Sequence, residues 1–114
     1  MQPDRLYLED MLAAADSIVV FVAGRDAAVF ANDDMLRSAV LFKLIVIGEA
    51  ASKVSRELRA LQPEVPWQDL VAFRNLAVHA YFGVDWSIVW TTGTKDVPPL
   101  RERIAAVLAA EARR

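Results

Sequence analysis

The sequence has no cysteine and one histidine, and it carries only four glycines and five prolines in 114 residues. Without cysteine there can be no disulfide, no thiolate zinc site and no cysteine nucleophile. With a single histidine, His79, a metal site would have to be built from carboxylates, and no spacing in the chain proposes one. Neither a metal nor another cofactor is expected. Long apolar runs are also missing: Ser17 to Ala23 is far too short to cross a bilayer. The N-terminus, with Asp4 and Glu9, lacks the basic-then-apolar order of a signal peptide. A cytoplasmic protein with no membrane partner is expected. Nor is there an excess of positive charge. The net charge is −2 and the pI about 5.3, so any contact with nucleic acid must rest on local arginines and lysines.

Apolar residues, by contrast, are abundant, at 55% of a 12.7 kDa chain. Its length fits one domain spanning residues 1–114. The apolar excess argues that part of the surface is covered by another chain, and a homodimer is the expectation.

The apolar residues recur with a helical period. Leu8, Leu12, Ala15, Val19 and Val22, widened by Met11 and Ile18, predict a helix over 4–23, with Asp4 as its cap and Gly24 as its stop. The run Ile18 to Val22 would suit a strand by propensity, but it continues the helical pattern. Residues 25–31 read as a connection that tucks Val29 and Phe30 into the core. Asn32 is placed to cap a long helix whose Leu36, Val40, Leu44, Ile47, Ala51, Val54, Leu58 and Leu61 form one stripe. A second stripe at Leu41, Ile45 and Gly48 marks its first half as the centre of a bundle. Gly48 is costly in a helix and so predicts a close approach of a neighbour. Lys53, Arg56, Glu57 and Arg59 on the far face form a solvated charged surface or contact RNA.

Pro63 and Pro66 end that helix and open the next, from about Trp67 to Ala80, with Gly83 as its break. Asp85 can cap a short helix carrying Trp86 and Trp90. Thr91 to Pro99 reads as a loop, and Pro99 to Arg113 as a last helix with Leu100, Ile104, Val107 and Leu108 inward. Trp67, Trp86 and Trp90 suit core or dimer contacts better than base stacking. No segment alternates with period two. The fold expected is an all-α, up-and-down bundle of four to five helices, dimeric.

One stretch gathers the polar chemistry: Arg74, Asn75, His79 and Tyr81, with apolar residues on both sides. It is either a satisfied buried network or an active site. At about 100° per residue Asn75 and His79 lie roughly 40° apart, and Arg74 and Tyr81 roughly 20° apart, but Arg74 and His79 are about 140° apart. One regular helix does not easily aim both at one atom; two copies meeting across a symmetry axis can. Cleavage of RNA without metal needs a base for the 2′-hydroxyl, an acid for the leaving oxygen and cationic donors for the phosphorane. Imidazole transfers protons at neutral pH, and arginine is a permanently charged, forked phosphate clamp. Asn75 can orient the imidazole, and Tyr81 can position or stack on substrate.

The string Arg74-Asn-x3-His79-x-Tyr81, then Phe82-Gly83-Val84-Asp85 and Ile88-Val89-Trp90, closely resembles the HepT-like proteins of the HEPN superfamily. Gly48-Glu49-Ala50-Ala51 and Pro66-Trp67 match as well, and the resemblance runs from Tyr7 to about Ile104. It implies the toxin of a toxin–antitoxin pair: a dimeric, all-helical, metal-independent endoribonuclease whose Arg74 and His79 form a composite catalytic site at the dimer interface, supported by Asn75. It further implies a partner, an MntA-like minimal nucleotidyltransferase antitoxin, which transfers AMP to Tyr81. An adenylyl group there would add bulk and negative charge two residues from His79 and repel an RNA phosphate. Two other readings stand beside this one: a non-catalytic module that docks the nucleotidyltransferase, and a plain bundle in which Asn75, His79 and Tyr81 are a structural network.

Overall fold

The computed structural model describes residues 3–114. The first helix, α1 (Pro3–Val22), forms where Leu8, Met11, Ala15 and Ile18 recur at intervals of three and four, and all four are buried. Met11 and Ile18 therefore centre the inward face, while Val19, expected within it, points outward. Ile18 to Val22 stays helical, because packing of Ile18 outweighs the strand preference of β-branched residues. Gly24, at φ 71°, turns the chain as expected.

Residues expected as a connection contain a short helix, α2 (Ala27–Ala31). The Asp26 carboxylate starts it by accepting from the Val29 amide at 2.8 Å. Phe30 is buried as expected, but Val29 is exposed, since adjacent residues on a helix face about 100° apart.

The long helix expected from Asn32 to Leu61 is two: α3 (Asp34–Lys53) and α4 (Arg56–Leu61). Asp33, not Asn32, caps α3, accepting from the Leu36 amide at 3.0 Å. Asn32 closes α2 instead, and its Nδ2 donates to the Ala28 carbonyl at 2.9 Å. The break lies at Val54 and Ser55, both extended. Ser55 Oγ accepts from the Leu58 amide at 3.2 Å and donates to Asp4 Oδ2 at 2.6 Å, while the Ser55 amide donates to Asp4 Oδ1 at 2.8 Å. Asp4, expected to cap its own helix, thus pins the start of another. Beyond the break Leu58 is buried and Leu61 exposed.

After Pro63 and Pro66 comes α5 (Trp67–His79), with Trp67 buried and its Nε1 donating to the Gln62 carbonyl at 3.0 Å. A 3-10 turn, Tyr81–Gly83, leads to α6 (Trp86–Thr91), capped by Asp85 as expected. Its carboxylate accepts from the Ser87 amide at 2.9 Å and from the Ser87 hydroxyl at 2.6 Å. Ser87 holds that carboxyl below the ordinary carboxylate range. Trp86 and Trp90 pack on Phe30, with ring centroids 6.4 and 5.1 Å away.

The loop expected over Thr91–Pro99 is absent. A π-helical turn, Thr92–Asp96, runs directly into α7 (Val97–Ala112). Gly93 is a spacer there: a Cβ would touch Val40 and Ile18 at 3.4 and 3.5 Å. Pro98 and Pro99 occupy the first turn of α7, where their missing amide hydrogens are not needed. Leu100, Ile104 and Val107 are buried as expected.

The described residues form an all-α bundle without strands. Helix α3 is its centre, packed against α1 on one side and α5 on another, with α7 against α1. At the α3–α5 crossing a Cβ on Gly48 would lie 2.4 Å from Arg74 Cβ and 2.6 Å from the Leu70 carbonyl oxygen, so only glycine fits. No helix among the described residues is long and apolar enough to cross a membrane.

Candidate active site

Helix α5 carries the polar stretch, and Gly48 decides how it lies. Because backbone and Cβ atoms of α5 touch the bare Gly48 backbone, the helix is held at the Leu70–Arg74 turn. Its inward side presents Leu70, Arg74 and Ala77; Gln68, Ala72, Asn75 and His79 are exposed on the opposite side. That division follows the helical period.

Arg74 starts at the crossing, and its side chain retains 23% exposure. Nε stands 3.3 Å from Glu49 Oε1 but makes no hydrogen bond, so the pairing is one of charge without a directed N–H. Glu49 also faces Lys53 Nζ at 3.6 Å. The outer nitrogens of the Arg74 fork have no hydrogen-bond partner among the described residues. Glu49 is the neighbour that sequence reasoning missed, although its signal was there: a glycine marking a close approach puts the next residue at the edge of the contact.

Asn75 and His79 are both exposed on one side of α5, as their spacing requires. Tyr81 lies beyond the end of α5, in the 3-10 turn, so its expected alignment with Arg74 does not apply. Its ring meets Phe82 edge to face at 5.6 Å, and Phe82 is fully exposed. No hydrogen bond or ion pair links any two of Arg74, Asn75, His79 and Tyr81 among the described residues, and no polar residue there is buried. The buried-network reading is therefore overturned. No group of three or more histidines, aspartates and glutamates gathers there as a metal would require.

The polar residues border uncovered apolar surface. Leu76, Val78, Tyr81, Phe82 and Ile88 are exposed together at the end of α5, the 3-10 turn and α6. Beside them is a cavity of about 200 Å³ lined mainly by Phe73, Leu76, Val84, Ile88 and Val89. By contrast Trp67 is buried, and Trp86 and Trp90 are half-buried on Phe30, so the tryptophans serve the core as expected.

Comparison with known proteins gives the family of the chain. Residues 11–107 match the family model described as ribonuclease HepT-like. A protein of Methanocaldococcus jannaschii named as a candidate RNase is 34% identical over 103 residues, 90% of this chain and 94% of its own. One named probable ribonuclease HepT, from Thermococcus cleftensis, is 36% identical over 95 residues, covering 83% and 86%. A candidate RNase of Caldanaerobacter subterraneus is 32% identical over 111 residues, covering 97% and 99%. No solved structure gives a significant match. A match that takes in almost all the helices, over residues 11–107, means that the chain belongs to the ribonuclease HepT-like family of the HEPN superfamily.

Proposed function

We propose that this protein is a metal-independent endoribonuclease, the toxin of a toxin–antitoxin pair, acting as a homodimer with Arg74 and His79 in a composite site. One observation carries the reading: Asn75 and His79 stand exposed, without hydrogen-bond partners among the described residues, beside an uncovered apolar surface. A solitary bundle has no use for that combination, whereas a second copy covering Leu76, Phe82 and Ile88 would bring a second α5 alongside. The dimer then holds two histidines and two arginines. One imidazole takes the 2′-hydroxyl proton as that oxygen attacks phosphorus; the other protonates the departing 5′-oxygen. The products are a 2′,3′-cyclic phosphate and a free 5′-hydroxyl, with no oxidant or metal required. Arg74 offers its free nitrogens to the charge that builds on the phosphorane. Asn75, one turn before His79, steadies the imidazole or the backbone of the strand.

Control acts at Tyr81. An MntA-like nucleotidyltransferase joins the phenol oxygen to the α-phosphorus of ATP; the bond to the β-phosphate breaks, pyrophosphate leaves, and the phenol proton goes to solvent. Half-exposure of Tyr81, and a hydroxyl with no partner among the described residues, suit it as acceptor. AMP there places a phosphate where RNA must lie.

The test is a cleavage assay on purified wild type and His79→Ala, with growth inhibition followed in parallel. His79→Ala should stay folded and dimeric and lose both activities. Equal toxicity from the variant would remove His79 from the chemistry and leave a non-catalytic docking module as the better description. Tyr81→Phe should remain toxic and take up no AMP when produced with the nucleotidyltransferase. Continued neutralisation of that variant would move the acceptor elsewhere.

A further inference from the structure

At the other end of α5 lies a cavity flanked by two arginines that form no ion pair among the described residues, and nothing in the proposed chemistry uses it. It has a volume of about 630 Å³ and sits between α4 and the first turn of α5, with Arg56, Arg59, Pro66, Gln68 and Asp69 in its wall. Arg56 and Arg59 are three residues apart on α4 and so share a side of it. Neither forms an ion pair among the described residues, although Glu57 and Glu64 are close in sequence. Arg59 Nε is buried with no hydrogen-bond partner, a state that calls for an acceptor. Asp69 is the only carboxylate in the wall. In a chain of net charge −2, two unpaired guanidinium groups in one cleft mark a local site for an anion.

The position of the cleft indicates which anion. Gln68 in its wall begins the exposed side of α5 that continues through Ala72 and Asn75 to His79. From Gln68 to His79 is about 16 Å at a helical rise of about 1.5 Å per residue. A stacked nucleic-acid strand, at about 3.4 Å per nucleotide, covers that in about five nucleotides, and an extended one in fewer. The side of α5 between cleft and histidine bears no carboxylate.

We propose that this cleft is a phosphodiester subsite for the RNA strand, in which Arg56 and Arg59 hold a backbone phosphate several nucleotides from the bond that is cut. This rests on the ribonuclease reading and adds that the enzyme recognises a stretch of strand beyond the scissile bond. The subsite is indifferent to base, because guanidinium groups read phosphate and not sequence.

Fluorescence anisotropy with labelled single-stranded RNAs of 3 and 12 nucleotides tests it, using His79→Ala protein so that the probe survives. Adding Arg56→Ala and Arg59→Gln should weaken binding of the 12-mer about tenfold. The salt dependence of log K should become shallower by about 0.7 to 1.4. Binding of the 3-mer should not change. In His79-containing protein the same pair should lower kcat/KM for the 12-mer and leave it unchanged for the 3-mer. Equal losses for both lengths, or none for either, would overturn the subsite. So would unchanged RNA binding together with lost neutralisation by the nucleotidyltransferase, which would make the cleft a protein-docking surface. Arg56→Ala alone, at an exposed position, serves if the double variant does not fold. Length-dependent, arginine-dependent binding without cleavage of any RNA by wild type would sink the ribonuclease reading and support the subsite; cleavage indifferent to the arginines would do the reverse.

Discussion

The two sides of α5 follow opposite rules. On its inward side, backbone meets backbone at Gly48 and no atom can be added. On its outward side Gln68, Ala72, Asn75 and His79 are exposed, and their side chains make no hydrogen bond among the described residues. The first side fixes where the helix lies; the second leaves side chains free to act on something that arrives. Arg74 spans the two, with its Cβ in the crossing and its guanidinium beside Glu49 at the edge of the contact. Positional accuracy in this bundle is supplied by contact between helices, not by hydrogen bonds among the polar residues themselves.

The strongest way to break the contrast is Gly48→Ala. A Cβ 2.4 Å from Arg74 Cβ and 2.6 Å from a carbonyl forces α5 outward. The better helix propensity of alanine offsets about 1 kcal/mol, and because the clash is with backbone and Cβ atoms that cannot rotate away, the overpacking cost falls at or above the upper end of its usual range, leaving a net loss of about 2–3 kcal/mol by urea denaturation. An unchanged midpoint would mean that the crossing is loose. Next is Ser55→Ala, which removes a cap and the tie to Asp4 together. It should cost about 1–2 kcal/mol in the same experiment. If it costs nothing, the break between α3 and α4 does not depend on that pair.

Smaller again is the effect of acid at α6. The carboxyl of Asp85 is depressed by Ser87, so its contribution is present above its ordinary value of 3.8 and is lost as pH falls through the lower folded value. Wild type should therefore lose stability below about pH 4 relative to Asp85→Asn, which does not titrate. Parallel melting curves from pH 5 to pH 2 would show that the cap is not charge-dependent. Smallest of all is His79→Ala, expected within about 0.5 kcal/mol of wild type because the imidazole is exposed and unbonded. Cleavage should nevertheless fall at least about 100-fold, the usual share of a general acid or base. A stability loss of about 1–3 kcal/mol would mean that the imidazole holds a hydrogen-bond partner in the folded protein.

Most of the helices were legible in the sequence because burial imposes its period on them. Leu36 to Ala51 shows this plainly, and Gly48 announced the crossing. What escaped were places where one residue answers to a distant one. Ser55 breaks a stripe that runs through it unaltered, and the reason is Asp4, fifty-one residues earlier. The stretch Thr91–Pro99 reads as a loop, yet Gly93 within it answers to Val40 and Ile18. At the site, Asn75 and His79 were legible because they share one helix. The end of α5 before Tyr81 was not, since a helix followed by a 3-10 turn carries nearly the same local sequence signals as a longer helix.

The missing side chain at Gly48 also governs how the molecule can move. Helices with ordinary side chains on both sides can shear past one another by small steps that repack the contact. Here one turn of sliding, about 5.4 Å, would drive the Leu70 carbonyl and Arg74 off the bare backbone and onto residues that carry side chains. Helix α5 is therefore keyed to α3 like a shaft in a slot. Any change of state at the polar stretch must come from side-chain rotation, from fraying of the turn after His79, or from another molecule, and not from translation of the helix.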